Sequence, residues 1–209
     1  MKWKRNDVIA LALVVAAAVF GLGLSVTKPF LAPYAEPAST FEEGVQEELF
    51  HLVENEFGLF TAPTMDDSWL PDGAGNLSVG REVYQVQCLH CHGSDGAAET
   101  YTARILNPPP RDFSLGAIVR TSTGPGNPPL RSDVRLLIRD GVPSTSMSSF
   151  SGLSEAEQHA AADYVMYLLV RGSVWNLALA QLNQLAPPDA FANAVAEQKA
   201  RWSLPEVSQ

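Results

Sequence analysis

The residues best equipped for chemistry are Cys88-Leu89-His90-Cys91-His92. A Cys-x-x-Cys-His run is the attachment signature of a c-type haem. The two thiols form thioethers with the haem vinyl groups, and the following histidine ligates iron. The spacing has a geometric basis: residues three and four apart share one helix face, so Cys88, Cys91 and His92 point the same way. With 2 cysteines and 4 histidines in 209 residues, the pattern arises by accident about 2 times in 10,000. A zinc knuckle would need four ligands, and no second Cys-x-x-Cys supplies them. A redox dithiol expects a βαβ context, which the chain lacks. A plain disulfide is the remaining competitor. The motif predicts one covalently bound haem c.

A helix must hold those side chains in register. The chain from Leu77 reads as one, with Gly80, Tyr84 and Cys88 spaced by four on one face. A glycine inside a helix costs about 1 kcal/mol of propensity, so Gly80 points to close approach by another helix. The pattern Gly80-x-x-x-Tyr84-x-x-x-Cys88-x-x-Cys91-His92 resembles the N-terminal helix of class I c-type cytochromes, and the resemblance covers residues 74–172. It implies an all-α haem domain in which the glycine and aromatic cross the domain's C-terminal helix, with Tyr84 counted among the haem-site residues.

The same resemblance assigns two further stretches. Asn107-Pro108-Pro109-Pro110-Arg111-Asp112-Phe113 resembles the family's proline-rich segment, where a proline carbonyl accepts a hydrogen bond from the ligand imidazole and raises its basicity. Pro109 stands for that role, although the sequence does not separate the three prolines, and a rigid surface loop is the plain alternative. Gly141-Val142-Pro143-Ser144-Thr145-Ser146-Met147 resembles the loop that delivers a methionine sulfur, which makes Met147 the implied sixth ligand beside His92. Ser144 and Ser148 depart from the family's usual glycine and proline. Among the other methionines, Met65 is a weak rival and Met166 reads as core. His51 and His159 are fallbacks if Met147 does not ligate, and His90 reads as solvated. Arg120 is a candidate for a haem propionate, weighed against an ordinary solvated arginine.

Outside that domain the sequence is less specific. Residues 41–60 carry apolar residues at helical spacing (Val45, Leu49, Leu52, Val53, Phe57) opposite an acidic face. Packing on the protein's own core and packing on another subunit are equally open for this stripe. Residues 61–76 read as a loop rich in breakers. Ser132-Asp133 is expected to open a helix that Gly141 closes. Ser154-Glu155-Ala156-Glu157 is a capping box for a helix that Gly172 should end. Beyond it, residues 173–209 read as two further helices, a docking surface for a larger assembly or else an extended cap on the domain.

The N-terminus suggests a membrane. Lys2, Lys4 and Arg5 precede an uninterrupted apolar run from Val8 to Val26, long enough to span a bilayer's hydrocarbon core as a helix. The basic start places the N-terminus in the cytoplasm and the rest across the membrane. That places the protein in the inner (cytoplasmic) membrane with its haem domain on the periplasmic side. A cleaved signal is the competing reading, but such apolar regions are shorter and no clean Ala-x-Ala site follows. The expected organisation is an anchor over 1–27, a linker with an acidic helix over 28–73, the haem domain over 74–172 and a helical extension over 173–209.

A formal net charge of −9 argues against nucleic acid and against an anionic membrane surface. Histidine–methionine ligation, as the resemblance implies, leaves no open iron position. The expected function is therefore single-electron relay, not catalysis, by a membrane-anchored monohaem cytochrome c in a respiratory or photosynthetic-type chain. Its partners would be redox proteins, including subunits of a membrane oxidoreductase complex. A haem-based ligand sensor and a mainly structural haem subunit are the alternatives.

Overall fold

The computed structural model describes residues 43–203 apart from residue 125. Seven helices occur among them. They are α1 (Glu43–Phe57), α2 (Leu77–Gln87), α3 (Leu89–His92), α4 (Tyr101–Ile105), α5 (Arg131–Asp140), α6 (Glu155–Gln181) and α7 (Pro187–Trp202). The expected all-α class holds except for one antiparallel ribbon, β1 (Gly58–Leu59) with β2 (Ala62–Pro63), in which Gly58 faces Pro63. No described helix is long and apolar enough to cross a membrane. The apolar run from Val8 to Val26, the linker to Thr40 and residues 204–209 lie outside the described residues.

Helix α6 is the axis of the domain. Its start is the expected capping box: Ser154 Oγ accepts from the Glu157 amide at 3.3 Å, and the Ser154 amide donates to Glu157 Oε2 at 2.8 Å. Every residue from Ala160 to Val174 is buried. A helix apolar on all sides needs neighbours on all sides, and α1, α2, α5 and α7 supply them. The expected stop at Gly172 is corrected, because the helix runs unbroken to Gln181. Gly172 serves proximity instead of termination: a Cβ there would collide with the carbonyl of Ser114. Asn176 Nδ2 ties the same carbonyl at 2.6 Å.

Helix α2 crosses α6 at Gly80, where a Cβ would collide with the Ala160 carbonyl oxygen. Beside that contact the rings of Tyr84 and Tyr164 meet at 4.9 Å. The entry to α2 is pinned to α6 by Asp163, which accepts from the Asn76 amide at 2.8 Å and pairs with Arg131 Nε at 2.9 Å. One carboxylate thus joins the starts of α2 and α5 to the first third of α6. The expected serine cap of α5 is also corrected. Its first residue is Arg131, and Asp133 accepts from the Leu130 amide at 3.1 Å. Gly141 closes α5 as expected, at φ 74°.

Both flanks belong to the same core. Leu49, Val53 and Phe57 of α1 are fully buried against α6 and α7, so the stripe packs on its own protein. Helix α1 stops at Phe57, earlier than the periodicity suggests, because Gly58 at φ 68° turns the chain into the ribbon. The stretch expected to be a plain loop contains a 3₁₀ turn, Asp67–Trp69. Trp69 is fully buried and donates from Nε1 to Glu56 at 2.9 Å. At the other end Ala190, Ala194 and Trp202 of α7 are buried, and Trp202 Nε1 donates to Ser173 Oγ at 3.1 Å. Residues 173–203 therefore pack on the domain core.

Candidate haem site

The motif does not lie on one continuous helix. Cys88 sits at φ −118°, ψ −31° between α2 and α3 and breaks the regular spiral. One helical turn nevertheless survives across the break, since the amides of Cys91 and His92 both donate to the Cys88 carbonyl, at 3.1 and 3.0 Å. That turn keeps the three side chains together. Cys88, Cys91 and His92 all line a cavity of about 480 Å³ whose other walls include Leu106, Pro109, Ile118, Val134, Leu137 and Met147. Both thiols are free. Burial, and then the neighbouring Cys91, push the Cys88 thiol up to about 12; burial also raises Cys91. A reactive redox dithiol needs the opposite shift.

The hydrogen bonding of His92 settles its tautomer. Its Nδ1 lies 2.9 Å from the carbonyl oxygen of Arg111. A carbonyl can only accept, so Nδ1 carries the proton and Nε2 keeps the lone pair a metal requires. Burial lowers the pKa of the ring, favouring the neutral form, with the Arg111 bond opposing it. The acceptor corrects the expectation that a proline carbonyl does this. Pro109 lines the cavity and is exposed, while the chain leaving the three prolines turns the next carbonyl, that of Arg111, toward the ring. Tyr84, expected among the haem-site residues, is buried and donates to the Gly93 carbonyl at 2.9 Å, and it does not line the cavity. Its ring is drawn into the α2–α6 crossing, so it braces the motif from behind.

Met147 arrives on a loop that is closed on itself. The Val142 amide donates to the Met147 carbonyl at 3.0 Å. The Met147 amide donates to Thr145 Oγ1 at 3.1 Å, and that hydroxyl donates to the Val142 carbonyl at 2.8 Å. Ser144 holds φ 65°, the left-handed conformation a glycine would adopt without strain; the serine keeps the shape at an energetic cost. Met65 and Met166 are buried in the core and do not line this cavity. His51 and His159 lie on the surface beside glutamates, whereas His90 is at the cavity rim. Arg120, exposed and at φ 65°, lines the cavity together with Arg111, and no aspartate or glutamate does. The acidic balance of the whole chain therefore does not extend to this opening.

The residues present fit a covalently held haem. The cavity falls in the size range of cofactor pockets and is mostly apolar with a few convergent polar groups. It brings together two cysteines, one histidine whose Nε2 is free, one methionine and two arginines. Phe113 was not expected at the site; it stacks on His92 with ring centroids 4.4 Å apart and planes 9° from parallel. Its place at the end of the proline-rich segment 107–113 was the only available signal.

Fold and site together define a c-type cytochrome domain. Residues 75–165, less than half of the chain, match the family model described as cytochrome c oxidase, cbb3-type, subunit III. Among solved structures, a chain of the reducing HAO-like protein complex of Kuenenia stuttgartiensis is similar at 33% identity and a TM-score of 0.41. The match covers 44% of this chain and 42% of that one. No curated protein matches the chain.

Proposed function

We propose that the protein is a membrane-anchored monohaem cytochrome c that relays single electrons, with no substrate bound at iron. A c-type cytochrome domain implies electron transfer; the finer reading rests on one observation. The same cavity receives both His92, with Nε2 free, and Met147 on a self-bonded loop. In this reading Cys88 and Cys91 would hold the haem covalently, His92 and Met147 would ligate its iron, and Arg120 and Arg111, which line the cavity, would be available to its propionates. The bound haem supplies reversible one-electron chemistry. The chain supplies the rest: fixed ligand geometry, an apolar wall and exclusion of water. The apolar run from Val8 to Val26 behind a basic start supports an anchor in the inner membrane with the haem domain on the periplasmic side. Redox partner proteins, including subunits of a membrane oxidoreductase complex, follow from that placement.

Visible spectra of the membrane-extracted protein test this reading, taken oxidised, reduced, and reduced under carbon monoxide. The expected result is a low-spin c-type spectrum with a methionine–iron charge-transfer band and no response to carbon monoxide. A high-spin spectrum or ready carbon monoxide binding would refute it and favour the ligand sensor.

A further inference from the structure

We infer that Phe113 is a positioning residue for the iron-ligating histidine, an inference that rests on the electron-transfer reading above. Two contacts from one short strap hold His92. The Arg111 carbonyl takes the Nδ1 proton at 2.9 Å, and two residues later the Phe113 ring lies flat on the imidazole at 4.4 Å and 9°. The two contacts restrain different motions. A hydrogen bond at a carbonyl accepts a broad range of directions, so by itself it leaves the imidazole free to tilt. A ring pressed against the face removes that freedom.

Phe113 is itself held on several sides, as a positioning group must be. Its amide donates to the Gly96 carbonyl at 2.7 Å, and its carbonyl accepts from the Gly116 amide at 3.0 Å. Asp112 closes the turn around it by accepting from the Ser114 amide at 2.8 Å and the Ser114 hydroxyl at 2.6 Å. Gly96, at φ 84°, lies so close that a Cβ there would come within 3.0 Å of Phe113 Cβ and 3.3 Å of Leu168 Cδ1. The ring is buried. The strap 111–116 is thereby fixed both to the loop after the motif and to α6, and it transmits that rigidity to His92.

Two properties of the iron centre depend on this restraint. The plane of the imidazole fixes the in-plane anisotropy of the ferric centre. The strength of the Nδ1–H···O bond sets how basic the ligand is toward iron. Leucine at 113 keeps the site apolar but has no flat face, so the ring samples more orientations and its hydrogen bond weakens. Tyrosine keeps the face.

The test uses the full chain, matured with haem, as wild type, Phe113→Leu and Phe113→Tyr. Electron paramagnetic resonance of the ferric proteins and equilibrium redox titration are the readouts. The expected result is a broadened and shifted largest g-value and a raised reduction potential in Phe113→Leu, with both returned to wild type in Phe113→Tyr. Wild-type spectra and potential in Phe113→Leu would overturn the inference, since filling the space would then suffice. Equal changes in both variants would overturn it too, by pointing to packing in general. A wild-type protein without a low-spin c-type signal would bring down the functional reading first, and this inference with it.

Discussion

Trp202 offers a direct measure of whether the C-terminal segment is part of the haem domain. The side chain is 1% exposed, and its indole nitrogen donates to Ser173 Oγ, which in turn donates to the Val170 carbonyl at 2.7 Å. An indole buries about 200 Å², and about 25 cal/mol per Å² puts its transfer contribution near 5 kcal/mol. Large-to-alanine changes at aromatic core positions cost about 3–5 kcal/mol, so Trp202→Ala should remove about 4 kcal/mol. For a domain of this size each kcal/mol lowers Tm by about 2–4 °C, which predicts a drop of roughly 8–16 °C. Trp202→Phe retains most of the apolar area and loses the N–H, and should cost about 1–2 kcal/mol. The assay is guanidinium unfolding of the haem-loaded protein followed by far-ultraviolet circular dichroism, with a thermal melt alongside. A Trp202→Ala loss below about 0.5 kcal/mol, the range of ordinary surface substitutions, would refute the packing argument.

Two further substitutions probe the framework around the site. Gly80→Ala gains about 1 kcal/mol of helix propensity but forces α2 off the Ala160 carbonyl. Overpacking of this kind costs about 1–3 kcal/mol, so the variant should be less stable overall; equal or higher stability in chemical denaturation would contradict the close crossing. Hydrogen bonds from the Ser154 hydroxyl and amide hold Glu157 below the usual carboxylate range. A depressed folded pKa contributes stability above the unfolded value, and that contribution is lost as pH falls through the folded pKa. Glu157→Gln should therefore flatten the decline of Tm as pH falls below the ordinary carboxylate range, and an acid limb identical to wild type would exclude this role.

Local chemistry was legible in the chain. The haem motif, the Ser154 capping box and the close approach at Gly80 each depend on residues within a few positions, or on a glycine whose cost demands a reason. The loop carrying Met147 could be picked out only through the family resemblance. At Gly172 and Tyr84 the deciding partner was distant in sequence. Gly172 looked like a stop because helices often end at glycine; the Ser114 carbonyl, brought against α6 by the tertiary fold, makes it a contact point. Tyr84 shares a spacing of four with Cys88, yet the break at Cys88 and the ring of Tyr164 take it away from the cavity.

The sequence by itself determined which cofactor chemistry is possible, because thioether attachment needs two thiols and a histidine at fixed separations along the chain. It also determined the helical class, through caps and apolar periodicity. Only the tertiary structure decided how the ligand histidine is held: a carbonyl at 111 and a ring at 113 approach it from 19 and 21 positions away, in directions set by the loop's attachment to Gly96 and α6. Tertiary structure likewise decided that both flanks are core, since a stripe such as Leu49, Val53 and Phe57 specifies that it must be buried but not against what. Hydrophobic burial has no direction, and the partner surface exists only once the chain has folded.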